Sequence, residues 1–194
     1  MTDSFGESSL LDWVSALHPE QDQIADALKL AIDESPGRIS AAYREMLSGY
    51  LTTPQTLAKI TVDLDEATEH SGTVAALDIP FFSLCIHHFL PFFGTIDMVY
   101  QPGRMIVGIG KLPRFAEMRA RRFQIQEHLV KDLCDDLMRH VGAKGAFVRA
   151  TARHLCVCGR GPNKPSVSNV ATYGSGTLAY MVNNADAPRG VPGG

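Results

Sequence analysis

Residues 73–100 read TVAALDIPFFSLCIHHFLPFFGTIDMVY. The stretch is rich in Val, Ile, Phe and Leu and is interrupted by Pro80, Pro91 and Gly94, which predicts strands joined by a turn near Gly94. Downstream, Pro102-Gly103 marks another turn, and Arg104 to Ile109 predicts a further short strand. Between Pro113 and His140 the pattern changes. Ile125, Leu129, Leu133, Leu137 and Val141 recur every fourth residue, one stripe of a helix. The polar Arg119 to Arg122 predicts two helices, or one helix with a break. Ala146 to Cys156 reads as a strand and Val170 to Leu178 as a last one, weakened by its glycines. Strands, then helices, then strands predict an α+β domain, with helices packed on one face of an antiparallel sheet.

Upstream, Gln21 to Glu34 carries Ile24, Leu28 and Ile32 on one helical stripe. Ser35-Pro36 predicts a second helix start, with Ser as N-cap and Pro in the first turn, running through Ile39, Tyr43, Met46 and Leu47 to a stop at Gly49. Residues 1–20 read as a loose arm or a short docking helix. The expected organisation is an N-terminal arm and helical extension over 1–72, a catalytic domain over 73–182 and a disordered tail over 183–194, rich in Pro and Gly.

The chain has 194 residues, 45% of them hydrophobic and 20% charged, a globular composition with no apolar run of the ~18–20 residues that a membrane span needs. The first residues lack the basic region and apolar stretch of a secretory signal, so a cytoplasmic location is expected. A formal charge of −3 and a pI of about 6.1 argue against a broad surface for nucleic acid, so any phosphate site must be a local pocket. In a reducing compartment the four cysteines, Cys85, Cys134, Cys156 and Cys158, point to metal ligation, catalysis or burial.

Three segments carry chemistry. Cys85-Ile-His87-His88 offers thiolate and imidazole, the ligands that zinc prefers; the alternative is a buried cysteine beside two histidines bonded to backbone carbonyls. His154-Leu-Cys156-Val-Cys158-Gly-Arg160-Gly161 could add ligands, since on a strand His154 and Cys156 would share a face. A structural zinc knot is disfavoured because neither segment has the C-x₂₋₄-C knuckle. Arg121-Arg122-Phe-Gln-Ile-Gln126-Glu127-His128 is a charged patch opening a helix, which composition alone reads as solvated surface.

Taken together, Cys85-x-His87-His88, Arg121-Arg122-Phe-Gln-Ile-Gln126-Glu127 and His154-x-Cys156-x-x-x-Arg160-Gly161 resemble the GTP cyclohydrolase I family in residue type, order and spacing. Ser35-Pro36-Gly37-Arg38 with Gly49-Tyr50 is similar to its TPxR…GY segment, Pro91-Phe-Phe-Gly94 to its PFxG, and Gly108-Ile-Gly-Lys111-Leu-Pro-Arg114 to its GLSKxxR. The resemblance runs from about Ile24 to Tyr180. It implies a tunnelling fold with an N-terminal helical extension, assembled as a homo-oligomer, typically a decamer, with active sites between neighbours. It implies Zn²⁺ held by Cys85, His88 and Cys156, and His87 and His154 as the acid–base pair, with Gln126 close to the reacting ring. Glu127 would grip the guanine, and Arg38, Lys111, Arg114 and Arg160 would surround the triphosphate. The reaction implied is water attack at C8 of GTP, ring opening, release of formate and rearrangement to dihydroneopterin triphosphate.

The chain departs from that pattern in places. Ile86 stands where the family usually has glutamate, Gly110 replaces the serine of GLSK, and Asn169 and Ala171 thin a stretch usually rich in Ser and Thr. Cys158 adds a thiol beside a ligand segment, most simply as a small buried residue. These positions lie where substrate and ligand-orienting groups are expected. Two alternatives therefore stay open: a relative acting on a modified guanine nucleotide or releasing a ring-opened pyrimidine, and a catalytically silent protein that binds zinc and nucleotide.

Overall fold

The computed structural model describes residues 4–17, 19–35, 37–58, 61–63 and 72–184. The chain divides into two compact units, Met1–Leu47 and Ser48–Gly194. The first holds α1 (Ser4–Leu17), α2 (Asp22–Glu34) and α3 (Arg38–Met46), with α1 packed on the other two. Much of the expected arm is thus helix. The expected helix start at Ser35-Pro36 is corrected: Ser35 closes α2, and α3 begins at Arg38 after Gly37, whose φ of 79° is left-handed geometry open to glycine. Pro36 itself lies outside the described residues, as do residues 1–3 and 185–194. Asn183 and Asn184, assigned above to the tail, lie in a 3₁₀ turn, Ala179–Asn184. Neither α2 nor α3 buries a residue, and Trp13, Leu30 and Tyr43 are exposed.

The second unit opens with a 3₁₀ turn (Ser48–Leu51) and α4 (Pro54–Ala58), followed by β1 (Thr61–Asp63). Gly49 is no helix stop. It is buried, its amide donates to the Arg121 carbonyl at 3.1 Å, and a Cβ there would collide with the carbonyls of Met118 and Arg121. The main sheet is built from β2 (Val74–Cys85), β3 (Pro91–Gln101), β5 (Phe123–Gln124), β6 (Gly145–His154) and β7 (Asn169–Gly176), in the order β5-β2-β3-β6-β7. All pairs are antiparallel except β2 with β5, so the expected antiparallel sheet carries one short parallel edge. A small second sheet pairs β1 with β4 (Met105–Val107).

The turn expected near Gly94 lies instead at residues 86–90, and Gly94 sits inside β3. Glycine is needed there because β6 comes so close that a Cβ would collide with the Thr151 carbonyl. β6 stops at His154, not at Cys156. Its ladder on β3 ends with Phe92↔His154, and the next residue on that side, Pro91, has no amide proton to continue it. The chain then turns into a short helix, α7 (Leu155–Cys158).

α5 (Lys111–Ala120) packs on β2, and α6 (Gln126–Asp136) packs on β6 and β7. The break between them is β5. Leu112, Phe115 and Ala116 of α5 and Leu129, Val130 and Leu133 of α6 meet Phe92, Ile96, Met98 and Tyr100 of β3 and the alanines of β6 in one core. The stripe continues as expected through Leu137 and Val141, in a π-helical turn (Leu137–Val141). The Tyr100 hydroxyl accepts the Val107 amide at 3.1 Å, tying β4 to the core, and burial pushes that phenol up. Arg119 grips the buried Asp136 with two bonds of 2.7 and 2.6 Å, which locks α5 to α6. Among the described residues no helix is long and apolar enough to cross a membrane.

Two stability predictions follow from this core. Arg119→Leu leaves Asp136 a buried carboxylate without its fork and should cost about 3–5 kcal/mol, whereas Arg119→Leu with Asp136→Leu should cost less than the single change. Urea midpoints would check both; a double variant weaker than the single one would refute the argument. Burial pushes the Cys134 thiol from 9.0 up to about 12. The folded chain therefore holds this proton longer than the unfolded one, and the associated stability is complete below pH ~9 and lost as pH rises towards 12. Cys134→Ala should flatten the alkaline fall in urea midpoint between pH 8.5 and 10.5 compared with the parent.

Candidate metal and nucleotide site

The 86–90 turn and α7 leave the same end of the sheet, because β2 runs into one and β6 into the other. The turn is tightly bonded. Phe89 donates to the Cys85 carbonyl at 2.8 Å, Cys85 to the Leu90 carbonyl at 2.9 Å, and Ile86 to the Gln124 carbonyl at 3.2 Å. Phe89 closes it with a φ of 56°, left-handed geometry unusual for an aromatic residue, and its ring packs on Phe123 at 4.6 Å.

This backbone brings Cys85, His88 and Cys156 together, with one donor atom from each lying within 4.8 Å of the others. Both sulfurs are buried and His88 is exposed. Around a tetrahedral ion with bonds of ~2.0–2.3 Å, such atoms sit roughly 3.3–3.8 Å apart, so small side-chain rotations would close the set on a metal. Burial first, and then the neighbouring Cys85, push the Cys156 thiol up. A bound cation would reverse that preference. Three ligands with one open side fit an ion that keeps a position for water. His87 places Nδ1 at 3.9 Å from the Cys85 sulfur but stands outside the three-atom cluster.

His154 is held in two directions. Its ring stacks on Phe92 at 4.5 Å and 6°, and its Nε2 lies 2.8 Å from Gln126 Oε1. The Gln126 amide nitrogen donates to the carbonyls of Ala150 at 2.8 Å and Asn169 at 3.1 Å. Burial pushes the His154 imidazole down, opposed by the charge of Glu127, so the ring favours its neutral form at neutral pH. Glu127 is exposed in the first turn of α6, where the helix dipole favours a carboxylate.

Of the residues expected at the triphosphate, Lys111 opens α5, and Arg114, one turn on, lines a groove of about 400 Å³ with Leu51, Thr52, Glu117 and Arg121. Arg160 follows α7, near enough that its charge acts on Cys156. Arg38 opens α3 in the first unit.

The segment opening α6 is scaffolding as well as charge. Arg122 donates to the Gly49 carbonyl at 2.7 Å and stacks over Tyr50, while Gln124 donates to Ser83 Oγ and to the carbonyls of Arg119 and Ala120. Arg121 pairs with Glu117 at 3.0 Å. The reading of this patch as plain solvated surface is corrected accordingly. Two roles escape the sequence, the Phe92 stack on His154 and the Phe89–Phe123 pair, because a buried or packed aromatic gives the same hydropathic signal whatever it touches. Cys158 is buried, as expected. Ile86 is half exposed, and Gly110 has open space where a side chain would begin, so its missing hydroxyl answers no steric demand.

Comparison with known proteins follows the same lines. A family model described as GTP cyclohydrolase I matches residues 21–186. The GTP cyclohydrolase 1 of Campylobacter lari is 43% identical over 131 residues, covering 68% of this chain and 67% of that protein. The GTP cyclohydrolase 1 of Streptococcus sanguinis is 37% identical over 155 residues, covering 79% and 82%. Among solved structures, the archaeosine synthase QueF-Like in its apo form aligns with a TM-score of 0.44 at 15% identity, over 56% of this chain and 98% of that one.

Titration with cobalt(II) should raise thiolate charge-transfer absorbance that saturates near about one equivalent per chain. Cys85→Ala or Cys156→Ala should remove it. A parent protein that binds no cobalt would sink the cluster as a metal site.

Proposed function

The chain belongs to the GTP cyclohydrolase I family, and on that premise we propose that it opens the imidazole ring of GTP by hydrolysis at C8, releases formate and yields dihydroneopterin triphosphate. The observation that carries this reading is the convergence of the Cys85–His88–Cys156 cluster and the restrained His154 at one end of the sheet. Cys85, His88 and Cys156 would hold zinc, which supplies the Lewis acidity that makes water a competent nucleophile near neutral pH.

The surrounding side chains bind and orient the substrate and move protons. Glu127 accepts hydrogen bonds from the guanine N1–H and the exocyclic amine, since a carboxylate offers only acceptors. His154, neutral at rest, and His87 exchange protons with the purine nitrogen and the attacking water as the C8–N bond breaks to a formamide. A second hydrolysis releases formate. Arg38, Lys111, Arg114 and Arg160 neutralise the triphosphate, the arginines through forked bonds to its oxygens. Substrate held at these points is placed for the ribose rearrangement that forms the pterin ring.

His87, His88 and Glu127 are all exposed on the single chain. Shielding the reacting purine from solvent therefore calls for other subunits, which supports a tunnelling-fold ring, a decamer in this reading, with sites between neighbours. The exposed apolar residues of the first unit, Trp13, Leu30 and Tyr43, support the same assembly. A cytoplasmic location fits a substrate of this kind.

Incubation of the zinc-loaded protein with GTP should release formate and generate pterin fluorescence. Formate without fluorescence would mean that reaction stops at a ring-opened pyrimidine, and no turnover of any guanine nucleotide would leave a silent binding protein. Glu127→Gln replaces a double acceptor with a mixed group and should lower kcat/KM for GTP roughly 10- to 100-fold. Unchanged kinetics would remove Glu127 from guanine recognition.

A further inference from the structure

We infer that Gln126 is a positioning residue whose side-chain amide fixes His154 as the Nε2–H tautomer, making Nδ1 the nitrogen through which His154 exchanges its proton. The inference deepens the proposed function and rests on the acid–base role given there to His154.

The argument is one of donors and acceptors. A glutamine amide has one oxygen that only accepts and one nitrogen that only donates. Two backbone carbonyls, of Ala150 on β6 and Asn169 on β7, lie 2.8 and 3.1 Å from one end of the amide. Carbonyls accept and never donate, so that end is the nitrogen. The reverse orientation would set an oxygen against two oxygens in a site where Gln126 is 3% exposed, a costly arrangement for buried polar groups. The amide oxygen is thereby turned on His154 Nε2 at 2.8 Å. It cannot donate, so the hydrogen between them belongs to the imidazole.

Phe92 supplies the second restraint. Its parallel stack at 4.5 Å fixes the plane of the ring, while Gln126 fixes its rotation within that plane. Turning the ring over by 180° would put a carbon opposite the amide oxygen and lose the bond. Neutral His154 thus carries one proton on Nε2 and a lone pair on Nδ1. It takes a proton at Nδ1 to become imidazolium and returns it from Nδ1, while the Nε2 proton stays on the imidazole, donated to Gln126 Oε1, in both states. Proton and charge balance at a single atom, and no second tautomer need be visited between the two hydrolytic steps.

Neutron diffraction from crystals of the perdeuterated, zinc-loaded protein without nucleotide, grown near pH 8, reads the positions directly. Deuterium on Nε2 and a bare Nδ1 are expected, with the two deuterons of the Gln126 amide facing Ala150 and Asn169. Deuterium on Nδ1 with a bare Nε2 overturns the inference. In solution, Gln126→Leu should lower kcat about 100-fold or more while the KM for GTP changes less than threefold, and the ring ¹⁵N shifts of His154 should leave the Nε2–H pattern of the parent for a mixture of tautomers. Ring ¹⁵N shifts that stay the same in Gln126→Leu count against a positioning role. Failure of the underlying reading looks different: if His154→Ala still turns GTP over, His154 is no acid–base group even with deuterium on Nε2. An inactive His154→Ala together with deuterium on Nδ1 refutes the tautomer alone.

Discussion

The pairing of β3 with β6 is the constraint on which the rest depends. Ten residue pairs run from Gln101↔Gly145 to Phe92↔His154 without a bulge. A slip of one residue would send Ile96, Met98 and Tyr100 out of the core or else turn the alanines of β6 away from α6. Gly94 protects this register, since the neighbouring backbone leaves no room for a Cβ. Because the ladder ends where Pro91 can no longer donate, the ligand turn of β2 and the ligand helix after β6 emerge side by side. The gathering of Cys85, His88 and Cys156 is a consequence of where two strands stop.

Around that ladder the residues 121–127 act as a hinge plate. Arg122, Gln124 and Gln126, spaced by two through β5 and up to the first residue of α6, each donate to backbone carbonyls or a hydroxyl of the scaffold. Glu127, one residue further into α6, turns outward. The same short segment therefore holds the first turn of the unit through Gly49, seats β5 beside the cysteine turn, restrains His154 and offers a carboxylate to solvent. Buried glutamines are expensive unless bonded, and both amide nitrogens here donate to scaffold oxygens.

How much of this was legible in the sequence depended on the physics that each feature obeys. The Leu129, Leu133, Leu137 stripe and the β-rich runs were readable because burial imposes periods of four and two. Cys85, His88 and Cys156 were legible as candidate ligands because thiol and imidazole in two short segments suit a metal, and the structure brings the three together. Gly94 misled, since glycine marks close approach as well as turns, and only the neighbouring strand distinguishes the two. Cys156 was placed on a strand because nothing local announces the end of β6; the signal is Pro91, more than sixty residues upstream in sequence. Gln124 and Gln126 read as surface because hydropathy ranks a glutamine as polar whether or not carbonyls wait to receive it. Phe92 gave no hint of its partner, being aromatic in a run of aromatics, and Phe123, a single aromatic between Arg122 and Gln124, gave none either.

Position 89 is caught between two demands. Its backbone lies where a side chain costs about 1–2 kcal/mol and where glycine or asparagine would be at ease. Its ring, packed on Phe123, is something that neither of those residues can supply. Relief of one demand violates the other, so few of the twenty amino acids can serve there, and none serves without compromise. Drift at this position in descendant sequences should therefore be slow and coupled to position 123, although neither residue belongs to the Cys85–His88–Cys156 cluster.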